Sequence, residues 1–170
     1  MKRILLVLVV LALAGVLAAT AQENKSKNNN ANALPRFVAL RSDKVYARSG
    51  PGVRYPIEWV YNQKSAPVEV ISEYEDWRRI RDWQGSESWI KSQMLNSKKR
   101  FVKVIALGEN NLYAKDNYKS KVIARIEDEV VGEVKKCPAE NTFCLVQFGQ
   151  YQGWMSRQNL FGVYPDEIID

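Results

Sequence analysis

Tyr46, Tyr55, Trp59, Tyr61, Trp77, Trp83 and Trp89 crowd one stretch of the chain, with Arg48, Arg79 and Arg81 close to them in sequence. Flat aromatic faces stack on sugar rings, and a guanidinium pairs bidentately with a carboxylate. The chemistry such a set offers is recognition. Core packing competes for the same rings, because a small domain has little else to fill it. Trp77 and Trp89 read as core. Tyr46, Tyr55 and Trp83 lie next to turns and, with Arg48, are the ligand-binding candidates; for each, packing and surface contact both stay open.

Catalysis finds less to work with. The chain has no histidine, which removes Cys-His and Ser-His-Asp arrangements, and no phosphate-cradling glycine pattern occurs. The acidic runs Glu73-Tyr74-Glu75-Asp76 and Glu127-Asp128-Glu129 could in principle supply paired carboxylates to cut a glycan. Both fall at expected loops, where solvated charge is the ordinary reading. No enzyme and no cofactor are expected. Two cysteines, Cys137 and Cys144, are too few ligands for a metal site. The segment between them opens like a turn, and a hairpin would bring two sulfurs opposite each other within bonding reach, so a disulfide is the better reading.

The elements that must position these residues begin after an export signal. Lys2 and Arg3 precede an apolar run from Ile4, and Ala19-Thr20-Ala21 offers a small-x-small cleavage site before Gln22. The run holds about 16 apolar residues, short of the ~20 a spanning helix needs. Residues 1–21 are therefore expected to be removed, leaving a periplasmic protein with no membrane insertion, in a compartment where disulfides persist. Without Lys2 and Arg3, 23 of the 25 basic residues face 19 acidic ones, a net of +4. That excess is mild and evenly spread, unlike the basic stripe of a nucleic-acid binder, so no nucleic-acid partner is expected. Residues 22–35, rich in asparagine and nearly without apolar side chains, read as a flexible tether.

From Arg36 the sequence repeats itself. Arg36-Phe37-Val38-Ala39-Leu40 returns as Arg100-Phe101-Val102-Lys103-Val104, and Val45-Tyr46-Ala47-Arg48 as Leu112-Tyr113-Ala114-Lys115. Trp77-Arg78-Arg79-Ile80 aligns with Phe143-Cys144-Leu145-Val146, and Ser88-Trp89-Ile90 with Gly153-Trp154-Met155. The offset stays between 64 and 67. This predicts a first repeat over 36–96, a linker at 97–99, a second repeat over 100–161 and a tail at 162–170. Short runs rich in Val, Ile, Tyr, Phe and Trp, punctuated by Gly, Pro, Asn and Asp, predict strands at Val38–Leu40, Val45–Arg48, Val68–Ser72, Trp77–Arg81 and Ser88–Lys91. Gly50-Pro51-Gly52 is expected to be a turn in which the second glycine takes a positive φ, and Trp83-Gln84-Gly85-Ser86 a hairpin tip. The fold class is all-β: two tandem small barrels, whose closure removes exposed edges.

The string Val45-Tyr46-Ala47-Arg48-Ser49-Gly50-Pro51-Gly52, followed by Tyr55-Pro56, resembles the opening of the bacterial SH3 (SH3b) domain. Trp77 and Trp89, with Ile90 and Leu95, resemble its closing strands. The doubled unit, the cysteine pair and the ending Gly162-Val163-Tyr164-Pro165 are similar to exported double-SH3-like proteins of alphaproteobacteria. The resemblance implies two SH3-like β-barrels that bind rather than catalyse, with cell-wall peptidoglycan or an envelope protein or peptide as partner. SH3-type barrels use aromatic-lined grooves beside their longer loops. The second repeat carries Asp116-Asn117-Tyr118 where the first has its glycine-proline turn, so a binding surface formed there need not exist twice.

Overall fold

The computed structural model describes residues 33–106 and 108–170. The expected signal peptide and all but the last residues of the tether lie outside them. Among the described residues the chain is all-β, apart from two single 3-10 turns at Ser92–Met94 and Arg157–Asn159.

The first unit contains β1 (Arg36–Leu40), β2 (Val45–Arg48), β3 (Ile57–Tyr61), β4 (Pro67–Tyr74), β5 (Trp77–Arg81), β6 (Glu87–Lys91) and β7 (Leu95–Asn96). The second repeats it with β8 (Phe101–Val104), β9 (Asn111–Tyr113), β10 (Val122–Arg125), β11 (Val131–Lys136), β12 (Phe143–Phe148), β13 (Tyr151–Ser156) and β14 (Leu160–Phe161). Each set forms one antiparallel sheet, ordered β3-β2-β6-β5-β4-β1-β7 and β10-β9-β13-β12-β11-β8-β14. The two orders are the same. In the first sheet Val38, Leu40, Val45, Ala47, Tyr61, Val68, Val70, Ile80, Ile90 and Leu95 join in one buried cluster. All seven strands contribute, so the sheet curls around a single core. Two such small cores are what an SH3-like tandem requires, and in β2 and β6 inward positions alternate with outward ones.

Strands β3 and β7 were not expected from sequence. β3 is one edge of the sheet, and its first four residues are all exposed, so it shows no alternation to read. The structure also corrects the expected φ of the Gly-Pro-Gly turn. Neither Gly50 nor Gly52 has a positive φ. What these positions need is the missing side chain: a Cβ on Gly50 would lie 2.5 Å from Tyr55 Cδ1, and one on Gly52 3.3 Å from Cδ2. The expected hairpin tip is present, with Gly85 at φ 85° and the Asp82 carboxylate accepting from the Gln84 and Ser86 N–H groups.

The repeat alignment shifts at one place. Arg48 stands opposite Trp89, and Tyr113 opposite Trp154. Since Trp89 and Trp154 are equivalent, Tyr113 takes the place of Arg48, not of Tyr46, and the sequence pairing of β2 with β9 is two residues out. A slip of two keeps every side chain on its own face of the sheet, which is why the pattern hid it.

The two units dock closely. Phe37 packs edge-on against Phe161, with ring centroids 5.0 Å apart, and against Tyr164 at 4.7 Å. The Tyr164 hydroxyl donates to Glu69 Oε1 at 2.9 Å. Lys103 on β8, only 1% exposed, sets its ammonium 3.3 Å from the centroid of the Trp83 ring and 3.6 Å from Glu129. Burial lowers the pKa of Lys103, with Glu129 opposing the shift. The aromatic face and the carboxylate together offset part of the cost of burying that charge.

In the second unit the sulfurs of Cys137 and Cys144 are bonded, with Cα atoms 4.4 Å apart across the β11–β12 hairpin. The tail returns to this hairpin: Ile169 and Cys137 exchange backbone hydrogen bonds. Arg157, buried, donates to the carbonyls of Pro138, Tyr164 and Glu167 at 2.8, 3.2 and 2.7 Å.

Candidate functional site

The β2–β3 connection, residues 49–56, leaves the sheet and is held by three backbone bonds. Ser49 N–H donates to Pro56 O, Gly52 N–H to Gly50 O, and Tyr55 N–H to Gly52 O, at 3.1, 2.9 and 3.2 Å. Arg48 braces it from beneath, with Nη1 donating to Val53 O at 3.1 Å and Tyr55 O at 2.6 Å. The Tyr55 ring lies flat against the two glycines, and the Arg54 guanidinium sits 5.3 Å from its centroid. Arg48, Tyr55 and the glycines thus set the path of the loop.

Facing this loop is the tip of the β4–β5 hairpin, and between them runs a groove of about 430 Å³. Pro51, Gly52, Val53 and Arg54 form one wall, Tyr74 and Glu75 the other, and Trp77 and Lys91 complete the lining. Trp77 is 7% exposed while Tyr74 is 54% and Val53 69%, so an almost buried indole lies between two rims open to water. Trp77 and Lys91 are register partners on β5 and β6, and the ammonium stands 5.8 Å from the indole centroid. Among the described residues no carboxylate forms an ion pair with Lys91 or Arg54. The hydrogen bond that Arg54 shares with Tyr55 raises its pKa, so the charge persists. An apolar floor with Arg54 and Lys91 beside it and the single carboxylate Glu75 on the facing wall suits a flat group that carries negative charge or acceptor oxygens.

The four sequence candidates are not gathered in one place. Arg48 and Tyr55 meet, as builders of the groove wall. Tyr46 lies on the outer side of β2, opposite Val60 on β3, with the Lys44 ammonium 5.4 Å from its ring. Trp83 packs under Lys103 and 6.2 Å from Tyr61, and its Nε1 is buried without a partner. It belongs to the contact between the units. Of the two tryptophans expected in the core, Trp77 is buried as the groove floor. Trp89 is half-buried on the outer face, in register between Arg48 and Arg79. Sequence reasoning passed over Val53, Arg54, Tyr74 and Lys91.

Three carboxylates of the acidic runs are engaged in structure. Glu73 pairs with Arg36 and Arg78, Asp128 accepts from Asn110, and Glu129 pairs with Lys103. Among the described residues no three acidic or cysteine side chains are placed to hold a metal ion, and no helix is long and apolar enough to cross a membrane. A second hollow of about 500 Å³ lies between the disulfide hairpin and the tail. Its one cation, Arg157, is spent on carbonyls, and Glu140 and Asp166 border it, so the groove of the first unit is the better-equipped site.

The equivalent place in the second unit is partly covered by a side chain of its own loop, Tyr118, which remains 62% exposed. Loop 114–121 reproduces the bonds of loop 49–56: Ala114 N–H donates to Lys121 O, Asn117 N–H to Lys115 O, and Ser120 N–H to Asn117 O, at 2.9, 2.9 and 3.2 Å. Tyr118 therefore stands where Val53 stands. Its ring packs on Phe143, the counterpart of Trp77, at 4.7 Å, and on Tyr113 at 5.9 Å. Its hydroxyl donates to Ser156 Oγ at 3.1 Å, and Ser156 is the register partner of Phe143, as Lys91 is of Trp77. Asn141 then latches the hairpin to the loop by donating to Asp116 at 2.6 Å.

No curated protein matches the chain. Among solved structures it is similar to NlpC2 and NlpC1 from Trichomonas vaginalis, at 14% and 12% identity. Those matches cover 75% and 74% of this chain but 48% and 45% of the other two, so the chain spans about half their length. At a TM-score of 0.34 in each case, nothing further about this chain follows from them. Residues 41–96 match the bacterial SH3 domain, and with its curled sheet and aromatic groove the first unit is a member of that family.

Proposed function

We propose that this chain is an exported, non-catalytic binding module that takes peptidoglycan or a cell-envelope peptide in the groove of its first unit, in the periplasm. The observation that carries the reading is the open groove over Trp77, rimmed by Tyr74 and Val53 and flanked by Arg54 and Lys91. Membership of the first unit in the bacterial SH3 domain family supports it, since such modules commonly dock on the cell wall. The protein lacking residues 1–21 is expected to co-sediment with purified sacculi. Replacing Arg54 and Tyr74 together by alanine, both being exposed, should release it. Retention that this double variant leaves unchanged would take the groove out of the reading.

A second reading, an envelope adaptor that contacts another protein without glycan affinity, is favoured by β3. Among the described residues this edge strand has no neighbour on its outer side, and it exposes Ile57, Trp59 and Val60, the kind of edge another chain can pair with. In-cell cross-linking that captures one stoichiometric protein, with no sacculus binding, would select it.

A further inference from the structure

We infer that the groove of the first unit receives an aromatic side chain from an acidic peptide, seated over Trp77 in the place that Tyr118 fills in the second unit. The inference rests on the reading of the first unit as a binding module and names the class of its ligand.

The argument is one of substitution within a shared frame. Loops 49–56 and 114–121 have equal length and the same three backbone bonds. Phe143 and Ser156 face each other on the strands that correspond to those of Trp77 and Lys91. In the second unit that frame is completed by a residue of its own loop, and the filler is a tyrosine: ring on Phe143, hydroxyl on Ser156. In the first unit the same loop position is Val53, 69% exposed, and an open groove remains between the loop and the β4–β5 hairpin, with the largely buried Trp77 in its floor. The frame shows what kind of group completes it, and the first unit must obtain that group from outside.

The differences define the rest of the ligand. Ser156 accepts a hydrogen bond, but Lys91 can only donate, so the guest must bring an acceptor such as the phenol oxygen. Arg54 adds a second positive charge at the rim, and neither cation has a carboxylate partner among the described residues. An acidic residue beside the aromatic one would supply it. A sugar ring would also meet an indole, but nothing in the second unit models a glycan in this seat, whereas Tyr118 models a peptide side chain.

The test uses the whole chain without residues 1–21 and the peptide Gly-Asp-Tyr-Asp-Gly, followed by amide NMR shifts. Saturable shifts in loop 49–56 and at Trp77 are expected, weakened about tenfold or more when the tyrosine of the peptide is replaced by alanine. Val53→Tyr, which copies the second unit, should close the groove and weaken binding at least about tenfold. Lys91→Glu, at the half-buried lysine of the lining, should do the same if Val53→Tyr disturbs the fold. No saturable binding, or binding that both variants leave unchanged, overturns the inference. Sacculus retention sensitive to Val53→Tyr, without peptide binding, makes the occupant a glycan; it overturns the inference and leaves the proposed function standing. Loss of both sacculus and peptide binding ends both.

Discussion

The two loops that follow β2 and β9 have one backbone course and opposite contents. In the first unit the loop is stripped of side chains where it turns, at Gly50 and Gly52, so that Tyr55 can lie against it. Arg48 holds its carbonyls from below. In the second, Lys115 and Asn117 replace the glycines, Ser120 replaces Tyr55, and Tyr113 replaces Arg48. Tyr113, Tyr118 and Phe143 then form a contiguous aromatic group. One loop is shaped from beneath and leaves its outer side open; the other is filled from above and latched. A repeated fold can thus keep its strands and still hold only one site, because the site depends on which side of a loop carries the bulk.

The largest expected effect concerns the disulfide. The disulfide closes a short hairpin beside the filled groove, and the first unit has nothing comparable. Replacing both cysteines by serine is expected to cost about 2.5 kcal/mol by the loop-entropy relation for a separation of 7 residues. Urea unfolding of the wild type and the double variant measures it. A cost near zero would mean that Arg157 and the returning tail hold the hairpin unaided. Next comes Gly50→Ala. The new Cβ would collide with Tyr55, and overpacking of this kind costs about 1–3 kcal/mol. Adding Tyr55→Ser, which recreates the pair Lys115 and Ser120 in kind, should recover most of that loss. A double variant as unstable as the single one would show that the glycines serve something other than the tyrosine ring.

The fold was legible because its signals are local and repeated. The strands Val45–Arg48 and Ser88–Lys91 alternate inward and outward residues, and the repeat doubled the clues. The edge strand Ile57–Tyr61 lacked that alternation, since four of its five residues face water. The pairing of β2 with β9 misled because a two-residue slip preserves the period of a strand. The site was less legible for a related reason. Tyr46, Arg48, Tyr55 and Trp83 were marked by type and by nearness to turns, but a turn says nothing about which side of it is open. Lys91 and Tyr74 reach the groove only through the register of β5 with β6 and the course of the β4–β5 hairpin. The one signal in the sequence was Tyr118 against Val53, and reading it needed the correct offset through the loop.

Tyr118→Ala tests the filled half of the comparison. It removes two aromatic contacts and the bond to Ser156, while Tyr118 keeps 62% of its surface in water, so the expected cost is about 1 kcal/mol. Val53→Ala in the first unit, where the side chain is turned to solvent, should stay within about 0.5 kcal/mol. Equal costs for the two variants would mean that Tyr118 is a surface ornament and that the two grooves differ less than their contacts imply.

The smallest effect concerns the contact that fixes the two units to each other. Burial, and then the hydrogen bond to Glu69, raise the pKa of Tyr164 above the ordinary tyrosine value of 10.0. Tyr61, inside the first unit, is raised by burial and by Asp82. A phenol whose folded pKa is raised contributes stability that is fully present below pH 10 and is lost as pH rises past it, because the unfolded chain releases the proton first. Lys103 carries the opposite sign. Burial depresses its pKa below 10.5, so the folded state gains stability as pH climbs toward that value. Removing one phenol should therefore show as a change in slope. Tyr164→Phe is expected to cost about 1 kcal/mol at neutral pH through the bond to Glu69. At pH 10 the gap between variant and wild type should narrow by at most about 0.4 kcal/mol, less whatever solvent screens at a half-buried hydroxyl. Unfolding midpoints between pH 8 and 11 give the answer, with Tyr61→Phe as the partner measurement inside one unit. A gap that stays constant across that range would mean that Tyr164 ionises in the folded protein as freely as in the unfolded one, and that the seam between the units is open to water.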